Sequence, residues 1–142
     1  MSKAKTALEF FEPYNCAQSV FAAHATDYGL GKDKALSISV GFGGGMGRLQ
    51  ETCGAVTGAL MILGLKSDFK EADSRPKINE VYAKVLSFID DFTKAKGSIK
   101  CRDILGGCDL RSEEGQKYFK EHKLKDKCRE CVTLCCELLE KY

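Results

Sequence analysis

The sequence has only two prolines, only two histidines, no long apolar run and almost no net charge. Each shortage excludes something. Pro13 and Pro76 stand alone, no linker-like stretch separates the motifs, and 142 residues is the size of one ordinary domain, so a single domain over 1–142 is expected. Twenty-two basic against twenty acidic residues leave a charge of +2, too balanced for nucleic acid or an anionic membrane surface as partner. The longest apolar run, Ala55 to Leu65, is broken by Thr57, Gly58 and Gly64 and falls short of the about 20 residues that span a bilayer. No membrane insertion is expected. The start, Met-Ser-Lys-Ala-Lys, passes straight to Leu8, Glu9, Phe10, Phe11 and Glu12 without the apolar stretch of a secretory signal, which points to a cytoplasmic location.

What the chain does have is eight cysteines. In a reducing compartment structural disulfides are rare, so that number points to metal binding or thiol redox chemistry. A secreted disulfide scaffold would be shorter and would need an export signal.

The apolar periodicity is helical nearly throughout. Ile78, Val81, Tyr82, Val85, Phe88, Ile89 and Phe92 recur three and four apart, with Ser74 and Pro76 at the start and Gly97 at the end. A second helix is expected from about 15 to 28, stopping at Gly29, and a last one from about 127 to 141. Shorter helices fit 3–11, 32–39, 101–105 and 112–121. The segment 52–64 is apolar on nearly every side, the mark of a buried central helix, and Gly54 and Gly58 one turn apart would let another backbone approach closely. No segment alternates with period two for long enough to make a strand. The expected fold is all-α, a compact multi-helix domain around that central helix.

Four cysteines fall at expected helix starts. Cys16 follows Asn15, Cys53 follows Thr52, and Cys128 comes two residues after Asp126, all three preferred N-cap types. Cys101 opens a short segment between Lys100 and Arg102. Free N–H groups and the helix dipole favour an anion in a first turn, which should make these thiols ionise more readily. Four thiolates gathered in one place would repel one another, and an iron or zinc centre would offset that repulsion. Taken singly, each is as well explained as a small buried hydrophobe.

The other four read differently. Cys131 and Cys135 lie on the apolar stripe of the last helix, where Cys128-x-x-Cys131 is ordinary core spacing. Cys136 is rotated away from its neighbour. Cys108, in a Gly-Gly-Cys-Asp turn, stands as a substitute for Cys101 or Cys128, and Cys131 also competes for a place among the ligands. The segment Gly41 to Arg48 lacks the Gly-Lys-Ser/Thr ending of a phosphate-binding loop. Its expected use is a tight backbone that aims N–H groups at an anionic sulfur cluster, with Gly43, Gly44, Gly45 and, beside Cys53, Gly54 as the cradling residues. His24 reads as a core or surface histidine and His122 as solvated.

Tyr14-Asn15-Cys16-Ala17-Gln18-Ser19-Val20, Phe42-Gly43-Gly44-Gly45-Met46-Gly47 and Cys53-Gly54-Ala55-Val56-Thr57-Gly58, followed by Cys101 and Cys128, together resemble the C_GCAxxG_C_C family of redox-active proteins. The resemblance runs from Tyr14 into the last helix. It implies a small helical protein whose four characteristic cysteines are Cys16, Cys53, Cys101 and Cys128. Its further likeness to the iron–sulfur-bearing part of split-Soret cytochromes implies a cluster on those cysteines, without haem, since no Cys-x-x-Cys-His site is present.

The reading drawn from this is an electron carrier with an iron–sulfur cluster, expected to be [2Fe–2S], on metal ligands Cys16, Cys53, Cys101 and Cys128. Separations of 37, 48 and 27 residues mean that tertiary packing must assemble the site, which disfavours the short chelating loops of zinc ribbons. A metal-free dithiol oxidoreductase or redox sensor is the rival, and a structural zinc protein a third. The expected partner is a redox protein, and a homodimer is compatible with the sequence.

Overall fold

Polar caps set most of the helix starts in the computed structural model, which describes residues 2–142. Ser2 Oγ accepts the Lys5 N–H at 3.2 Å and opens α1 (Lys3–Phe10). Asn15 opens α2 (Cys16–Ala25) with a reciprocal box: its Oδ1 accepts the Gln18 N–H at 2.9 Å while Gln18 Oε1 accepts the Asn15 N–H at 3.0 Å. A 3₁₀ turn over Thr26–Tyr28 and a left-handed Gly29 end it. After α3 (Lys32–Ser39) the glycine-rich segment leads to α4 (Gly54–Ser67). Then come α5 (Arg75–Lys96), the single turn α6 (Cys101–Ile104), α7 (Glu113–Glu121) and α8 (Lys125–Leu139).

No strand occurs among the described residues, only one isolated antiparallel bridge between Thr52 and Lys100. The fold is all-α. None of these helices is long and apolar enough to cross a membrane.

Helix α2 is the most enclosed element, with every residue from Ala17 to Ala25 buried. It shares the centre with α4, whose buried side is built from Val56, Ala59, Ile62 and Leu63. The two lie close because α4 presents glycines to α2. A Cβ at Gly54 would stand 2.5 Å from the Cys16 sulfur, and one at Gly58 2.9 Å from the Ala17 carbonyl oxygen. Helices α1 and α8 pack on α2, and α5 closes the far side with Phe88 and Phe92 fully buried. Cys101, Leu105 and Leu124 form a separate small cluster with Leu110 and Phe119. Cys128 touches both that cluster and the main core, so it stands at the seam between them.

Three sequence expectations are corrected here. The apolar stripe of α5 is buried only towards its C-terminal half: Tyr82 is 57% exposed, because the first turns of this long helix run past the core. Thr52 is not an N-cap; it is held in the bridge to Lys100, and Cys53 itself is the cap of α4. Helix α8 begins at Lys125 rather than 127, which places Cys128 in its fourth position instead of at a free N-terminus. Asp126 is left to pair with Arg129 at 2.7 Å.

Candidate redox centre

The short backbone bridge aligns two of the four cysteines. Cys53 N–H donates to Ile99 O and Cys101 N–H donates to Glu51 O, both at 2.7 Å, so the two segments run side by side and each then turns into a helix. Gln50 secures the same corner. It is buried, its Nε2 donates to Cys108 O at 2.6 Å, and its Oε1 accepts the Leu110 N–H at 2.9 Å. Arg102 adds a hydrogen bond to Gln50 O at 3.3 Å and an ion pair with Glu51.

Cys16 comes from the other side, at the first position of α2. Its neighbour Asn15 is tied to the glycine segment, with Nδ2 donating to Val40 O at 2.9 Å. That segment has an unusual backbone. Five consecutive residues, Gly44 to Arg48, have φ between +60° and +71°, a single left-handed turn closed by Gly47 N–H donating to Gly43 O at 2.9 Å. For Met46 and Arg48 this conformation costs about 1–2 kcal/mol each. The strain has a local return. The turn packs where a side chain would not fit: a Cβ at Gly45 would stand 2.7 Å from Gln50 Cα and 2.9 Å from Cys101 Cβ, and one at Gly43 would overlap Asn15. It also brings the Gly44 N–H onto the Cys16 sulfur.

Cys16, Cys53, Cys101 and Cys128 all line one cavity of about 790 Å³, as do Gly44 and Gly54. The sequence-predicted cysteines are thus brought together by four different elements. A fifth joins them: Cys131, one turn beyond Cys128 on α8, lines the same cavity and stands close enough to the Cys53 thiol to raise its pKa. Sequence reasoning placed Cys131 in the core, and it is indeed 1% exposed. Core and cavity wall coincide at that point, and helical spacing alone does not separate them. Cys108 stands apart from the cavity wall; its Sγ donates to Gly115 O at 3.1 Å. Cys135 and Cys136 are buried in the main core. His24 is a core residue bonded to Val20 O at 2.9 Å, and His122 is exposed and stacked on Tyr118.

The electrostatics reverse one sequence argument. Helix starts were expected to make these thiols acidic, and burial outweighs that effect. Cys16 is pushed up to about 11, first by burial and then by Cys53, although the N–H groups of Gly44 and Ala17 act in the other direction. Cys101 is pushed up to about 12 by burial and then by Cys53 and Cys16, with the Gln50 side chain opposing. Cys128 is raised by burial and by Cys16, Cys53 and Cys101, with Lys125 opposing. Cys53 is raised well above the thiol range by Cys131 and then by burial. Cys16, Cys101 and Cys128 therefore each sense others of the four, while Cys53 senses Cys131. At neutral pH Cys16, Cys53, Cys101 and Cys128 are held as protonated thiols in the metal-free protein.

No three His, Cys, Asp or Glu side chains among the described residues stand within reach of a single metal ion. Cys16, Cys53, Cys101 and Cys128 line a shared cavity without three of them meeting at one point. A soft, all-sulfur donor set of this kind fits a cluster of several iron atoms.

A protein of Archaeoglobus fulgidus described as "Uncharacterized protein" is 30% identical over 136 residues, covering 89% of this chain and 83% of that one. No solved structure matches. The family described as "Putative redox-active protein (C_GCAxxG_C_C)" matches residues 14–142, which contain all four cysteines and the left-handed turn. The chain belongs to the C_GCAxxG_C_C family of redox-active proteins.

Proposed function

We propose that this protein is an electron carrier that holds an iron–sulfur cluster, of the [2Fe–2S] type, through Cys16, Cys53, Cys101 and Cys128. The observation that carries the reading is that four cysteines far apart in sequence face one cavity. Bound there, the cluster would supply one-electron chemistry. The chain's own contribution would be fourfold thiolate ligation, the Gly44 N–H at the Cys16 sulfur and the Ala55 and Val56 N–H groups at the Cys53 sulfur. Such N–H donors favour the anionic form of the ligands.

Iron and acid-labile sulfide assays with a visible spectrum on anaerobically purified protein test this. Cys53→Ser should abolish the spectrum, because a hydroxyl is a far poorer iron ligand than a thiolate, and Cys136→Ser should leave it intact. Loss of iron in Cys108→Ser with retention in Cys128→Ser would make Cys108 the fourth ligand and refute the assignment. Protein without iron in every preparation would refute the cluster.

A second reading is favoured by the Cys53–Cys131 contact. Two neighbouring thiols can be oxidised to a disulfide by exchange with a partner's disulfide, which is reduced to two thiols. Thiol titration showing a reversible two-electron couple lost in both Cys53→Ser and Cys131→Ser would favour it.

A further inference from the structure

The cavity holds more space and more positive charge than the thiols account for. Its volume, about 790 Å³, is in the range of sites that enclose a small organic molecule, and a two-iron cluster would fill only part of it. Away from the sulfurs its wall is apolar, built from Ile104, Leu105, Leu110 and Phe119. Its remaining lining is strongly one-sided in charge. A chain with 22 basic and 20 acidic residues places five cations, Arg48, Lys120, Lys123, Lys125 and Arg129, around this cavity against the single acid Asp126.

That acid is already used. Asp126 pairs with Arg129, which also reaches Glu12 at 3.3 Å. Lys125 lies over the Phe11 ring at 4.9 Å. Arg48, Lys120 and Lys123 make no ion pair among the described residues. Two of these three sit on left-handed backbone, Arg48 at φ +71° and Lys123 at φ +52°, positions that favour glycine or asparagine over a long side chain. Arg48, Lys120 and Lys123 are exposed cations lining an apolar recess, free to meet the head of a bound anion.

We propose that the cavity binds a small organic anion beside the sulfur centre. The apolar body would lie on Leu105, Leu110 and Phe119, and a carboxylate, phosphate or sulfonate head among Arg48, Lys120 and Lys123. As a statement about the substrate class of this site it rests on the redox reading; as a statement about binding it does not.

The test uses 8-anilinonaphthalene-1-sulfonate, an apolar body with one anionic head, titrated by fluorescence into full-length protein under reducing conditions, with iron content measured on each sample. We expect saturable binding at one site per chain, weakened by added salt. Lys120→Gln and Lys123→Gln should each weaken it about two- to fivefold and the double variant more, the scale of one exposed charge pair. Lys84→Gln, on the exposed face of α5, should match the wild type. The uncharged N-phenyl-1-naphthylamine should bind more weakly. Equal binding of the neutral dye, many weak sites, or lysine variants indistinguishable from the wild type would overturn the proposal. So would lysine variants that lose iron while keeping full dye affinity, because the cations would then serve the cluster. If the protein holds no iron and the dye behaves as expected, the anion site stands and the electron-carrier reading fails.

Discussion

Helix α4 carries three glycines in three different surroundings, and replacing each with alanine separates packing from helix propensity. A glycine inside a helix costs about 1 kcal/mol relative to alanine, so the substitution is favourable where the added methyl meets nothing. Gly64 is such a place: a Cβ there has no heavy atom within 4 Å outside its own helix and chain neighbours. Gly64→Ala should stabilise the protein by about 0.5–1 kcal/mol, or roughly 2–4 °C per kcal/mol for a chain of this size. At Gly58 the methyl would stand 2.9 Å from the Ala17 carbonyl oxygen, and at Gly54 2.8 Å from the Phe42 carbonyl oxygen and 2.5 Å from the Cys16 sulfur. Backbone does not swing aside, so α2 and α4 must separate, with overpacking that costs about 1–3 kcal/mol. Against the propensity gain, Gly58→Ala and Gly54→Ala should be destabilising by up to about 2 kcal/mol. Urea unfolding of the metal-free, reduced protein reads all three. Gly54→Ala should also lower iron content, since it displaces the Cys16 sulfur, while Gly58→Ala affects iron less. If all three variants stabilise alike, the close approach of α2 and α4 is wrong, and the placement of Cys16 beside Cys53 falls with it.

The raised thiols predict alkaline instability of the metal-free protein. Cys16 ionises near 9 when unfolded and near 11 when folded, so its contribution is fully present below pH 9 and is lost as pH rises through about 11. That is roughly 2–3 kcal/mol from Cys16 alone at about 1.4 kcal/mol per pH unit, and urea midpoints that stay level from pH 8 to 10.5 would contradict it. Phe88→Ala should cost about 3–5 kcal/mol and Tyr82→Ala less than about 0.5 kcal/mol, because only the first is buried; equal midpoint shifts would refute the account of α5. Gln50→Ala removes a buried amide that joins Cys108 O to Leu110 N–H and should cost about 1–3 kcal/mol, with iron retention falling through Cys101; unchanged stability and iron would show that the bridge holds the corner unaided.

Much of the fold was legible because helix periodicity and capping are local. Asn15-x-x-Gln18 specified the start of α2, and Gly97 the end of α5, without knowledge of what they pack against. What failed was non-local. Tyr82 fits the stripe of α5 by spacing, but whether a stripe is covered depends on how far the neighbouring helices extend. The bridge between Thr52 and Lys100 joins positions distant in sequence and too short to show strand alternation, so nothing nearby marked it, and Thr52 was read as a cap instead.

The gathering of the four cysteines was legible in the sequence and their ionisation was not. Asn15 marked the helix start that carries Cys16, because a cap leaves a local signature, whereas Cys53 was placed through Thr52, which is bridged to Lys100 instead. Ionisation depends on how much water the finished fold removes, and that is decided by all four elements together. Burial that lifts Cys16 to about 11 and Cys101 to about 12 exceeds what a few N–H groups return. Ligation of iron by these thiols, as proposed, would release protons, and loading should then strengthen as pH rises, within the range where the fold survives. A site tuned for thiolate nucleophilicity in the metal-free form would show the opposite arrangement, with exposed, acidic cysteines. Burial of this kind suits sulfurs that become anionic only when a metal replaces their protons, and that argument favours the cluster over the disulfide.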